Sequence, residues 1–236
     1  MKTLMSLLVV FALLGVAAFA GFEEDSAAAA ALLAQKDFIA GEAAYRKLFV
    51  DYPAATVDQK AGSRCSVGHC VRGQLRYAEA IVEFQKALAD YPTAIFQHRG
   101  HAQHYIGYCH QLAGDLSEAR TAYQAVLDTY PNAPAKMIAR AHLGLTSVLY
   151  LEHDYEAATK AAVATAITYG FIALDFQLEC FKLVNPVYLT KAEYAYYLER
   201  LHVIVPATNG TKPGTTDNTE FWGRFSSQLD AMNMGE

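Results

Sequence analysis

The stretch HAQHYIGYCHQLAGDLSEARTAYQAVLDTYP, His101 to Pro131, decides how the rest of the chain is read. Apolar residues recur at helical spacing on both sides of Gly114-Asp115, so the stretch predicts two helices joined by a tight turn. A hairpin of this size cannot bury its own apolar face and needs neighbours of the same kind.

Those neighbours appear when the chain is slid against itself by 39 residues. Phe38, Tyr77, Leu116 and Tyr155 fall in one register; Tyr45, Phe84, Tyr123 and Ala162 fall in a second. Tyr52, Tyr91, Tyr130 and Tyr169 form a third, followed by Pro53, Pro92 and Pro131, with Gly170 in the fourth place. Gly41, Ala80, Ala119 and Ala158 put a small residue early in each second helix, where two helices approach closely. The chain is therefore an array of hairpins, with units at about 22–53, 54–92, 93–131 and 132–170 and a degenerate fifth at 171–203.

The residues carrying this period resemble the tetratricopeptide repeat family. Ile106-Gly107, Gly114-Asp115-Leu116, Glu118-Ala119, Tyr123 and Pro131 match its pattern in the third unit. Val67-Gly68, Tyr77, Glu79-Ala80, Phe84 and Pro92 match it in the second. The family step is near 34 residues, so each unit here is longer by about five, placed just after Tyr-Pro. That ending is similar to the repeats of bacterial cell-envelope proteins of the Tol-Pal-associated kind. Two units depart from the pattern: the first has an alanine run in place of Leu-Gly, and the fourth has Leu145-Thr146. The resemblance implies an all-α fold, a right-handed α-solenoid of four to five hairpins with a C-terminal capping helix.

The ends of the chain read differently. Residues 1–20 open Met-Lys, continue with an apolar run from Leu4 to Phe19 and close on Ala18-Phe19-Ala20, the plan of a secretory signal peptide. The run is shorter than the ~20 residues a spanning helix needs, and no later stretch is long enough to cross a bilayer. A periplasmic or extracellular location follows. The net charge of −5, without a basic block, argues against a nucleic-acid partner.

Beyond the fourth unit, Tyr169-Gly170 offers a glycine for a left-handed helix end. Phe171 to Val184 predicts a mostly buried helix ended by Asn185-Pro186. Thr190 with Glu193 is a capping-box signature, and Leu189 with Tyr194 fits a hydrophobic staple for a helix to about Val203. Residues 204–219 read as a flexible linker. Residues 220–236 read as an amphipathic helix and tail, with Phe221, Trp222, Phe225 and Leu229 on one face. That helix either folds back over an exposed end of the array or docks on a partner or a second copy.

An exported compartment permits disulfides among Cys65, Cys70, Cys109 and Cys180. Cys70 and Cys109 lie one period apart, but adjacent helix axes are 8–10 Å apart and matching residues point the same way. A bridge wants Cα atoms at about 5.5–6 Å, so packed thiols are the simpler reading.

In the family, first helices of successive units line a concave surface that holds the ligand. Carried over by position, the resemblance implies Cys65, His69 and Arg72 from the second unit. The third supplies His101, His104, Tyr108 and Gln111, and the fourth Arg140, Ser147 and Tyr150. Ser26, Ala30 and Leu33 give the first unit a blander wall. Such a groove suits peptide carboxylates, amides or acidic segments, with Arg72 and Arg140 as charged anchors. A rival reading gathers His101, His104 and Cys65 around zinc or copper. Against it, no His-Glu-x-x-His or paired Cys-x-x-Cys is present, so no metal and no cofactor is expected. No serine stands in a glycine elbow, and Cys65 with His69 four residues on is a weak nucleophile pairing. The expectation is a non-enzymatic exported scaffold for a protein or peptide in a bacterial envelope assembly. The alternatives are a self-associating subunit and a metal-binding protein.

Overall fold

The computed structural model describes residues 21–207, and every regular element in that span is helical. The segment expected to be a signal peptide, most of the expected linker, and Phe221, Trp222, Phe225 and Leu229 of the expected terminal helix lie outside the described residues. The helices are α1 (21–34), α2 (Phe38–Asp51), α3 (Val57–Gly73), α4 (Tyr77–Asp90), α5 (Phe96–Ala113) and α6 (Leu116–Thr129). They continue as α7 (Ala135–Leu151), α8 (Tyr155–Tyr169), α9 (Leu174–Phe181) and α10 (Lys191–Ala207). Two compact units divide the chain at Ala125/Val126.

Each first helix ends in the same way. Lys36, Leu75, Gly114 and His153 have φ of 62°, 64°, 88° and 65°, one left-handed residue per 39-residue step. The next residue donates its backbone N–H five places back around the turn: Asp37 to Leu32 O (3.0 Å), Arg76 to Val71 O (3.3 Å), Asp115 to His110 O (2.9 Å) and Asp154 to Leu149 O (3.0 Å). This is the Schellman closure, which satisfies carbonyls that a helix end leaves orphaned. Asp37 and Asp154 then cap the following helix, accepting from Ala40 N and Ala157 N at 3.1 Å each.

The other turn repeats too. After each second helix the Tyr carbonyl accepts from the residue three on: Ala55 N to Tyr52 O (3.0 Å), Ala94 N to Tyr91 O (3.0 Å) and Ala133 N to Tyr130 O (2.9 Å). Proline follows each tyrosine in the place where its fixed φ favours a β-turn. The chain then enters the next first helix, through a Thr56–Gln59 capping box at α3. At α5, Asp58 reaches across from α3 and accepts from Ile95 N at 2.8 Å.

In the first unit, α2, α3, α4 and α5 pack in chain order, and α3 also lies directly against α5. Glycines on the first helices make room for rings from the second. A Cβ at Gly68 would stand 2.8 Å from the Phe84 ring, and one at Gly107 2.9 Å from the Tyr123 ring. Tyr45, Phe84 and Tyr123 are all buried, as are Gly41, Ala80, Ala119 and Ala158. The four cysteines are buried free thiols, so no Cys70–Cys109 bridge forms.

A polar cluster also holds this unit. Glu83, 5% exposed, takes Arg46 and Arg64 on its two oxygens at 3.0 Å each. Burial pushes the Glu83 carboxyl up, but the two guanidinium groups outweigh it and hold its pKa below the ordinary value. Arg46 and Arg76 also grip Glu42, at 2.9 Å each, and Gln74 donates to it at 2.7 Å.

In the second unit α7 packs on α8, α8 on α9 and α9 on α10. Val163, Leu178, Phe181, Val184 and Tyr197 form its apolar core. The helix expected from Phe171 to Val184 is broken. A 3₁₀ turn spans Gly170–Ile172, Ala173 is extended, and only Leu174–Phe181 is α-helical. Phe171 is 77% exposed. Gly170 is not left-handed either, with φ −60°. A Cβ there would lie 2.7 Å from the Gln177 amide, so close approach to a buried side chain explains the glycine. The Thr190–Glu193 box forms, with Thr190 N donating to Glu193 at 2.9 Å and Glu193 N to Thr190 Oγ1 at 3.3 Å. Leu189 and Tyr194 pack on the core. Helix α10 runs on to Ala207 and takes in Pro206, which the sequence assigns to the linker.

Candidate binding face and recess of the first unit

The contact of α3 with α5 brings together side chains that are far apart in the chain. His69 Nε2 and His101 Nε2 meet at 2.6 Å, so one ring donates to the other. Burial, with the neighbouring imidazoles and Arg72 adding to it, lowers the His69 pKa to about 3. At neutral pH His69 is an uncharged ring.

Tyr105 is the hub of this face. Its ring lies 4.3 Å from His69, 4.6 Å from His101 and 5.2 Å from His104, centroid to centroid, and it stacks on Phe84 at 5.7 Å. The Arg72 guanidinium sits 5.6 Å from the Tyr105 centroid and 5.5 Å from that of Tyr108, a cation–π arrangement with two rings. His104 leans on Tyr123 at 5.3 Å, and Gln111 accepts from the Tyr123 hydroxyl at 2.9 Å. Of the seven expected groove residues in this unit, His69, Arg72, His101, His104 and Tyr108 share one aromatic cluster. Gln111 is held by Tyr123, a buried second-helix ring.

Cys65 departs from its expected role. It is buried, its thiol faces the His98 carbonyl at 3.7 Å, and burial pushes its pKa up to about 12. A thiol held that high stays protonated, which removes the nucleophile reading of Cys65 with His69. The His101, His104 and Cys65 metal set does not assemble. Among the described residues, no three His, Cys, Asp or Glu side chains are placed to hold a metal ion.

The remaining groove positions lie in the second unit, on α7. Arg140 is exposed, Ser147 donates to its own helix at Leu143 O (2.9 Å), and Tyr150 meets Tyr155 edge-on at 5.2 Å. His142 on the same helix stacks on Tyr169 at 5.6 Å.

Beside the histidine pair a recess of about 520 Å³ opens among α1, α2, α3 and α5 of the first unit. Phe22 and Tyr45 give it aromatic walls; His69, His98 and His101 give it imidazoles; Glu23 and Asp58 give it carboxylates. Ser26, Ser63, Ser66 and Gln97 complete its polar lining, so the first unit's wall is less bland than Ser26, Ala30 and Leu33 suggest. Gly62 faces His98: a Cβ there would stand 3.1 Å from the imidazole carbon. The 39-residue period conceals both features. Tyr105 corresponds to Ser66 and Gly144 in the adjacent units, and His101 to Gly62. The readable signal is the pairing of a glycine on one first helix with a histidine on the next.

Residues 101–133 match the family profile described as tetratricopeptide repeat. No curated protein sequence matches the chain. Among solved structures, BtubC (BKLC) from P. vanneervenii is similar, with TM-score 0.65 and 16% identity over 86% of this chain and 87% of that one. Bacillus thuringiensis PlcR, solved in complex with the peptide PapR7 and DNA, is similar at TM-score 0.59 and 11% identity, over 80% of this chain and 70% of that one. A tetratricopeptide repeat protein from Parabacteroides merdae ATCC 43184 gives TM-score 0.54 and 12% identity, over 90% and 73%. At these identities the likeness is one of fold.

Proposed function

We propose that this tetratricopeptide-like chain is an exported scaffold that binds a protein or peptide segment on the first-helix face of α3 and α5, within a bacterial envelope assembly. The carrying observation is the cluster around Tyr105. Stacked rings, three imidazoles and the Arg72 guanidinium share one partly exposed face, and aromatic and arginine side chains dominate the energetics of such contacts. The similar fold of a protein solved with a bound peptide supports the reading. The leader at residues 1–20 supports export.

A photo-crosslinking amino acid in place of Tyr108, with one in place of the exposed Glu79 on α4 as control, tests the face in the native host. The expected result is a discrete crosslinked protein from position 108 only, lost when Arg72→Ala is added. Equal labelling from both positions would overturn the assignment. Export is checked by the amino-terminal sequence of the non-cytoplasmic protein, expected to begin at Gly21; recovery of an intact Met1 in the cytoplasm removes it.

A further inference from the structure

We infer that the recess beside the histidine pair receives a primary ammonium group, namely the lysine side chain of the bound peptide, between the carboxylates of Asp58 and Glu23. The inference rests on the peptide-binding reading above and names the side chain that the peptide inserts.

The lining carries two carboxylates and no lysine or arginine. Of its imidazoles, His69 stays neutral at pH 7 and adds no positive charge to the lining. A neutral imidazole and a hydroxyl offer lone pairs to an ammonium donor, and a carboxylate adds charge. Ser63 supplies such a hydroxyl. It lines the recess and is only 4% exposed. Phe22 and Tyr45 offer apolar surface to a four-carbon stem, the division of labour by which lysine buries its chain and keeps its head among polar groups.

Both carboxylates are fixed before any ligand arrives. Asp58 Oδ1 accepts from Ile95 N at 2.8 Å and Glu23 Oε1 from Gln59 Nε2 at 2.9 Å. A site ordered in advance loses less entropy on binding. The polarity is opposite to that of the Arg72 side of the face. A peptide crossing both would present a basic residue to the recess and an acidic or aromatic one to Arg72.

The test uses the purified protein labelled at histidine Cε1 and three peptides, acetyl-Ala-Ala-Lys-Ala-Ala-amide and its norleucine and glutamate counterparts, with putrescine as a fourth probe. The lysine peptide is expected to shift the His69, His98 and His101 signals while leaving His142, in the second unit, unmoved. The norleucine and glutamate peptides are expected to bind at least tenfold more weakly. Asp58→Asn with Glu23→Gln keeps both acceptor oxygens and removes both charges, and should weaken the lysine peptide at least tenfold. An unchanged affinity in that double variant, or equal binding of the glutamate peptide, overturns the inference. Tighter binding of putrescine than of the lysine peptide overturns the assignment to a peptide. Crosslinking from position 108 is read separately, so loss of the recess and loss of the binding face are told apart.

Discussion

The two units solve one packing problem in opposite ways. In the first, Gly68 and Gly107 open gaps on α3 and α5, and Phe84 and Tyr123 fill them from α4 and α6. One period later Thr146 stands in the glycine's place and Ala162 in the ring's, both buried. Side-chain bulk has moved to the first helix, and the pair of Thr146 and Ala162 is smaller than Gly107 with Tyr123. The difference reaches the proposed binding face. Phe84 and Tyr123 pass through the glycine gaps and touch His69, Tyr105 and His104, so the aromatic cluster is held from behind by second-helix rings. On α7, where the ring has become alanine, Ser147 bonds to its own helix instead. The charges differ in the same sense: Glu83 corresponds to Ala44, Ala122 and Ala161 in the other units, so its arginine cluster belongs to one repeat.

Removing that carboxylate should have the largest effect. Glu83→Ala leaves Arg64 without its carboxylate and Arg46 with Glu42 alone, and should cost about 3 kcal/mol in urea unfolding, the low end for a broken buried pair because Arg46 keeps Glu42 and contact with water. A loss below about 1 kcal/mol would place the cluster with exposed ion pairs. Next, Gly107→Ala drives a methyl into the Tyr123 ring and should cost about 1–3 kcal/mol. Thr146→Gly in the second unit should destabilise by the opposite route, an unfilled gap, and adding Ala162→Phe should recover part of the loss. Additivity of those two changes would show that the bulk had not moved across the hairpin.

The histidine pair gives a pH test. His69 has a folded pKa of about 3, below the 6.5 of an unperturbed histidine, so the unfolded chain takes up a proton that the folded one refuses. Its contribution is present above 6.5 and is lost as pH falls from there toward 3. Thermal midpoints should therefore decline between pH 7 and 5, with a flatter profile in His69→Gln. Glu83, held below its ordinary pKa of 4.5, loses its contribution only at more acid pH, which separates the two groups. The smallest effect belongs to the turns. Leu75→Gly relieves a left-handed leucine that is 72% exposed and should gain about 0.5–1 kcal/mol. His153→Gly in the second unit should gain less, because His153 also bonds the Tyr155 hydroxyl at 2.7 Å.

What the sequence disclosed follows from what repeats. Tyr45, Phe84 and Tyr123, the Tyr-Pro turns and the small residues at Gly41, Ala80, Ala119 and Ala158 recur because each hairpin needs them, and they carried the fold. Site residues are by nature departures from the repeat, and departures have no period to betray them. Tyr105 and Gly62 are such cases. The left-handed turn was visible only at Gly114, since Lys36, Leu75 and His153 reach the same backbone without a glycine. The break at Ala173 was hidden because Phe171 to Val184 contains no glycine or proline to mark it.

The Tyr-Pro turns, closed by near-identical bonds at Ala55, Ala94 and Ala133, also make the chain divisible. Joining Tyr52 directly to Pro92 excises one whole module between two matching junctions, and each junction keeps its local geometry. The module removed would take Glu83 and His69 with it while keeping Tyr105. Recombination at these seams changes which side chains the first helices present without inventing a new bend in the backbone.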